Sequence, residues 1–179
     1  MKKRQNFGQH FLKSNTIANH IVSEAKITKN DIVLEIGTGH GILLPHMCKK
    51  ANKVISIEID KNLYSLAKSK FYDEKNLILE CGDGFKSNHN FTIFISNLPY
   101  YAATFFLRTF LELEHKPELM VLMFLKEVAE NVLATPGSMR LLSVITQMLC
   151  YSEKICDVPK ESFEPAHNID SAQTNMVPK

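Results

Sequence analysis

No run of about 18 consecutive apolar residues occurs in the sequence, so a membrane-spanning helix is not expected. The chain opens Met-Lys-Lys-Arg and continues with polar Gln5 and Asn6. An apolar signal core is missing, which predicts a cytoplasmic protein. Cysteine is scarce: Cys48, Cys81, Cys150 and Cys156 are the full set. No two stand as Cys-x-x-Cys and no His-x₃-His lies near them, so a zinc site is not expected. Buried reduced thiols are the simpler reading. Internal repeats and low-complexity stretches are also missing. Net charge is only +2, which by itself does not call for nucleic acid. Its distribution is uneven: residues 1–30 hold Lys2, Lys3, Arg4, Lys13, Lys26 and Lys29 against the single acid Glu24. That basic arm could meet phosphate, or it could be a solvated tail.

What is present suits one folded domain. The chain has 179 residues, 45% hydrophobic and 22% charged, ordinary proportions for a globular protein. Apolar clusters alternate between strand and helix periods. Ile17, Ile21, Val22 and Ala25 recur at helical spacing behind the capping candidates Ser14 and Asn15. Strands are expected at 32–36, 54–59, 77–80, 92–96, 119–124, 154–158 and 169–177. Helices are expected at 42–51, around 63–70, and at 104–113, 126–133 and 141–149. Pro136-Gly137 marks a turn. Strand and helix alternating at this spacing predict crossover units and a mainly parallel, doubly wound α/β sheet. Ligands of such sheets sit beyond the carboxyl ends of the strands. Gly37, Glu58, Asp83 and Asn97 all fall at such ends.

The loop Glu35-Ile36-Gly37-Thr38-Gly39-His40-Gly41 joins the first of these strands to a helix. Its spacing, Gly-x-Gly-x-Gly, differs from the Gly-x-Gly-x-x-Gly of dinucleotide folds. Glu58 follows Gly37 by 21 residues and ends the next strand. An acid there can accept hydrogen bonds from both ribose hydroxyls of a nucleoside. No Arg or Lys stands beside the glycines, so a nucleoside suits the site better than a pyrophosphate. Asp83 can accept from an adenine amino group, or serve as a turn aspartate.

Ser96-Asn97-Leu98-Pro99-Tyr100 carries the most chemistry. An aromatic amine is a poor nucleophile because its lone pair is delocalised into the ring. The Asn97 side-chain oxygen and the Leu98 carbonyl can accept its N–H protons. Pro99 restricts Leu98 to an extended conformation. Tyr100 offers a face on which an everted base can stack. With a sulfonium methyl donor the leaving group departs neutral, so alignment and desolvation suffice, and neither a metal nor a strong base is needed.

Taken together, these segments resemble the ribosomal RNA adenine N6,N6-dimethyltransferases of the KsgA/Dim type, relatives of the Erm methyltransferases. The resemblance is carried by Phe7-Gly8-Gln9-His10-Phe11-Leu12, Glu35 to Gly41, Ile57-Glu58-Ile59-Asp60, Asn97-Leu98-Pro99-Tyr100, Phe124-Leu125-Lys126-Glu127-Val128-Ala129, and Phe163-x-Pro165 with Ile169-Asp170-Ser171-Ala172. It implies a Rossmann-like, class I S-adenosylmethionine-dependent methyltransferase fold, with a mainly parallel seven-stranded sheet and helices on both faces. It implies a cofactor shell of His10, Leu12, Gly37, Gly39, Glu58, Asp83 and Asn97, and no metal. It implies that Asn97, Leu98, Pro99 and Tyr100 form the catalytic corner, with Tyr100 and Phe163 flanking the target adenine. The expected partner is ribosomal RNA in the pre-ribosomal small subunit, met by a monomer.

The sequence also departs from that family. Thr38 stands where Pro is usual, His10 where Asn is frequent, and Leu125 where Gln is common. Residues 136–143 look about two residues shorter than the family pattern and lack a usual Gly. Tyr101-Ala102-Ala103 replaces a more polar run. The chain ends at Lys179, whereas family members continue into a small helical RNA-binding domain; the expectation is a catalytic domain over 1–179, with a basic arm over 1–13, lacking that addition. Two other readings stay open: an Erm-like enzyme of large-subunit RNA, and a non-catalytic RNA-binding assembly factor on the same fold.

Overall fold

The structure, a computed structural model, describes residues 10–97, 109, 116–166 and 168–179. Leu98, Pro99 and Tyr100, the helix expected at 104–113 except for Thr109, and most of the basic arm lie outside these residues.

The described elements are β1 (Phe11–Leu12), α1 (Asn15–Glu24), β2 (Ile32–Ile36), α2 (Leu44–Lys50), β3 (Lys53–Glu58), α3 (Lys61–Lys70), β4 (Leu77–Cys81), β5 (Ile93–Asn97), β6 (Leu119–Leu125), α4 (Lys126–Val132), α5 (Leu141–Leu149), β7 (Cys150–Val158), β8 (Phe163–Glu164) and β9 (Ser171–Pro178). Seven strands form one sheet in the order β4-β3-β2-β5-β6-β9-β7, and β1 pairs with β8 in a separate two-stranded ribbon. The β4-β3-β2-β5-β6 portion is parallel. β9 runs antiparallel to both β6 and β7. This is the Rossmann-like methyltransferase architecture.

The sheet is covered on both faces because its strands are apolar on both. Val33, Val54, Ile93, Ile95 and Val121 join one core with α1, α2 and α3 residues such as Ile21, Met47 and Ala67. Their strand neighbours Leu34, Ile55, Phe94, Met120 and Leu122 join the other, with Ala129 and Val132 of α4. Successive side chains of a strand point to opposite faces, so a continuous apolar run feeds two cores. Caps fix the helix starts. Ser14 Oγ accepts from the Ile17 N–H at 3.4 Å. Asp60 Oδ1 accepts from the Asn62 and Leu63 N–H groups. Pro45 sits in the first turn of α2, where its missing N–H costs nothing.

Two expectations need correction. β7 starts at Cys150 rather than 154, directly after α5, because residues 150–154 pair with β9 before an irregularity between Lys154 and Cys156. The β1–β8 ribbon was not expected from the sequence, since two-residue strands leave no periodicity to read.

Candidate functional site

The topology places β4, β3, β2 and β5 side by side. Their carboxyl ends therefore set Asp83, Glu58, Gly37 and Asn97 in a row about 14 Å long, three strand spacings. The register fixes this alignment. Glu58 lies opposite Cys81. The Gly37 N–H donates to the Ile57 carbonyl at 2.8 Å. The Ser96 hydroxyl donates to the Ile36 carbonyl at 2.6 Å, which sets Asn97 beside Gly37. Four residues picked from separate motifs thus share one edge of the sheet.

Glu58 is buried, and both carboxylate oxygens are held by backbone. Oε2 accepts from the Gly39 N–H at 2.8 Å, and Oε1 from the Asp60 N–H at 2.9 Å. Each oxygen keeps further acceptor capacity, which is what a vicinal diol needs. The loop above it turns through three left-handed glycines, Gly37, Gly39 and Gly41, with φ of 87°, 55° and 71°. At Gly41 a Cβ would collide with the Phe71 ring, so space as well as φ disfavours a side chain there. At Gly39 a Cβ would sit 3.1 Å from Phe11. Phe11 also packs against His40, with ring centroids 4.3 Å apart. Phe11 covers the loop, a role that neither its sequence position nor its residue type announced.

Beneath the loop lies a buried polar chain. Glu35 Oε2 and Ser56 Oγ share a hydrogen bond at 2.5 Å, and Thr38 Oγ1 lies 2.6 Å from Ser56 Oγ. All three residues are buried. Burial pushes the Glu35 carboxyl up to about 8; the Ser56 hydrogen bond opposes this and the Glu58 charge adds to it. The sequence marked Glu35 only as part of the loop motif; its burial appears once Ser56 is placed opposite it in β3.

Asp83 accepts from the Phe85 N–H at 3.2 Å and lies 3.7 Å from Lys86 Nζ, so it starts a short 3₁₀ turn. Its side chain is 38% exposed, which leaves it open to a ligand as well. His10 donates through Nδ1 to the Pro165 carbonyl at 2.7 Å. Leu12 is buried and pairs with Phe163. Phe163 is fully buried in the core with Leu12, Val158 and Met123. Its ring is thus a core ring in this structure. Burial raises the thiols of Cys48, to about 12, and of Cys150, to about 11. Among the described residues no group of three or more His, Cys, Asp or Glu could hold a metal ion. A cavity of about 870 Å³ opens at the opposite end of the sheet, lined by residues such as Asp31, Thr92, Glu118 and Asn175, remote from the glycine loop.

The sequence profile of the family described as ribosomal RNA adenine dimethylase matches residues 1–179. The chain is 35% identical, over 184 aligned residues, to a ribosomal RNA small subunit methyltransferase A of Dehalococcoides mccartyi. That match covers 99% of this chain and 63% of the relative. Among solved structures, a dimethyladenosine transferase from Plasmodium falciparum superimposes with a TM-score of 0.88 at 33% identity, covering 94% of this chain and 63% of that one. The 23S rRNA methyltransferase ErmE shares the fold, with a TM-score of 0.86 at 24% identity over 94% of this chain and 70% of that one. The chain therefore spans about three-fifths of the length of the first two.

Proposed function

Because the chain belongs to the ribosomal RNA adenine dimethylase family, we propose that it transfers methyl groups from S-adenosylmethionine to the N6 amine of adenine in small-subunit ribosomal RNA, twice on one base. The observation that carries this reading is the row of Asp83, Glu58, Gly37 and Asn97 along one sheet edge, with the Glu58 carboxylate held in place by the Gly39 and Asp60 N–H groups. The donor set fits an adenosine. Glu58 can take the ribose hydroxyls and Asp83 the adenine amine. Among the described residues nothing lies within 4 Å of where a Cβ would stand on Gly37, so a ligand can approach its backbone. When bound, the cofactor supplies a methyl group on a sulfonium that leaves as a neutral thioether.

In this proposal His10, Leu12 and Gly39 complete the cofactor side. His10 and Leu12 act through the ribbon that sets Phe11 over the loop. Asn97 Oδ1 accepts one amine proton and the Leu98 carbonyl the other, with Pro99 holding that carbonyl. The cofactor held there would supply the methyl group to the amine nitrogen so aligned, and the proton that the amine loses would pass to solvent water. Tyr100 stacks on the everted base. Phe163 contributes from the core, by supporting β1, rather than by touching the base. Residues 1–179 form the catalytic domain, a cytoplasmic monomer whose basic arm over 1–13 meets RNA phosphate. Among the described residues no helix is long and apolar enough to cross a membrane.

The test is methyl incorporation into pre-ribosomal particles and into naked small- and large-subunit RNA, comparing wild type with Asn97→Ala. The expected result is incorporation at small-subunit adenines, lowered about 100-fold in the variant through lost alignment. RNA binding without incorporation, the same in both proteins, would instead identify an assembly factor. Incorporation into large-subunit RNA alone would identify an Erm-like enzyme.

A further inference from the structure

We propose that Glu35 is a positioning residue for the methyl donor: through the Ser56 hydroxyl it sets where Thr38 directs its proton, and thereby the affinity of the glycine loop for the cofactor. The inference rests on the reading of that loop as the cofactor cradle. Thr38 lies between Gly37 and Gly39, both left-handed, and its buried side chain reaches down to Ser56 on β3. It ties the loop to the sheet through its side chain, beside the Gly37 and Gly39 N–H bonds to β3. A proline at this position would have no hydroxyl to anchor with.

The chain of hydrogen bonds has two directions. Ser56 owns one proton and can donate it to only one neighbour. An ionised Glu35 can only accept, so Ser56 must donate to it and Thr38 must donate to Ser56. The Thr38 proton is then turned inward. A protonated Glu35 reverses the chain: the carboxyl donates to Ser56 and Ser56 donates to Thr38. The Thr38 proton is released to an acceptor on the loop side. Among the described residues, Ser56 is the side-chain hydrogen-bond partner of Thr38.

The surroundings favour the reversed state. Burial penalises the charged carboxylate, and Glu58 repels it from the end of the same strand that carries Ser56. Cys48 of α2 also faces it, but that thiol is itself pushed up to about 12 and stays neutral. Among the described residues, Ser56 is also the hydrogen-bond partner of the Glu35 side chain. Ionisation would set a second carboxylate under a loop whose Gly39 N–H is already committed to Glu58.

The experiment is calorimetric binding of S-adenosylhomocysteine between about pH 6 and about pH 9.5, where the Glu35 proton is lost. Wild type, Glu35→Gln and Thr38→Val are compared, with thermal melts to establish that each is folded. The ligand's own amino group titrates in this range and affects all three alike, so the readout is the difference between profiles. Wild type should hold its affinity on the acid side, lose about tenfold in all as pH passes the midpoint, and level off near the Thr38→Val affinity. Glu35→Gln, whose amide can always donate to Ser56, should keep the acid-side affinity throughout. Thr38→Val should bind more weakly on the acid side and show no step. A Glu35→Gln profile that superimposes on wild type, or a Thr38→Val protein that binds as wild type does, overturns the proposal. A merely structural Glu35 would move the melting temperature and leave the affinity profile in place. If Glu35→Gln does not fold, Ser56→Ala must abolish the step, and a retained step refutes the idea. Wild type failing to bind at every pH would instead overturn the cofactor reading of the loop.

Discussion

Glu58 is fixed before any ligand arrives, because two backbone N–H groups hold its two oxygens. Hydrogen bonds to a charged group contribute about 1.5–3 kcal/mol. Glu58→Ala should therefore weaken S-adenosylmethionine binding by about 10- to 100-fold. Calorimetry reads this directly, and an unchanged dissociation constant would remove Glu58 from the site. Glu35 has a different signature, in stability. Its carboxyl titrates near 4.5 in an unfolded chain and near 8 in the fold. Between those values the folded protein keeps a proton that the unfolded chain has released. Stability from this group is thus fully present below about 4.5, falls as pH rises through the window, and levels off above about 8. Glu35→Gln should flatten that fall, as read by chemical denaturation at several pH values. The residue types at Glu58 and Asp83 were legible in the sequence because they follow apolar runs at strand ends. Ser56 and Thr38 were not, since a hydroxyl gives no sign of its partner until two strands are in register.

At the scale of elements, the β1–β8 ribbon ties the start of the described chain to residues 163–164. It seats Phe11 over Gly39, so the ribbon closes the glycine loop from outside. Phe163 is its buried anchor, and Phe163→Ala should cost about 3–5 kcal/mol of stability. A thermal melt would show that loss, whereas Phe163→Leu should keep most of the stability and of the methylation rate. A Phe163→Leu protein that melts as wild type but loses RNA methylation would return Phe163 to the substrate site. Helix α5 departs from the usual amphipathic arrangement. Ser143 and Thr146 are buried, while Leu141 and Met148 are 75% and 69% exposed. Ser143 is satisfied by the Asn131 carbonyl. Among the described residues the buried Thr146 Oγ1 has no hydrogen-bond partner. An isosteric Thr146→Val should therefore raise stability by about 1 kcal/mol, seen as a higher melting temperature. No sequence rule would have chosen that face as the buried one, because apolar content was the only guide.

For the whole molecule, charge is the property that matters most for an RNA substrate. The net value is small, but the basic residues crowd toward the start of the sequence. Each phosphate neutralised by a Lys or Arg releases counterions, so affinity falls with salt more steeply the more phosphates are engaged. Deleting residues 1–6 should reduce the slope of log affinity against log salt by about one for each phosphate that those residues neutralise. An unchanged slope in filter binding would assign phosphate binding elsewhere. The parallel half of the sheet was legible as alternating strands and helices, and so was the row of functional residues at its carboxyl edge. The antiparallel end was only half legible, because β7 carries exposed residues on an edge strand and its start merges with α5.

The sequence by itself determined the fold class, the glycine loop, the acids at the strand ends and the family, because each is written in local order and spacing. Only the tertiary structure decided that Phe163 is a core ring, that Phe11 closes the loop, and that Glu35 is buried against Ser56, which pushes its carboxyl up. These depend on which side chains become neighbours across strands. Burial and charge proximity, which set packing and ionisation, come into being only when distant segments meet.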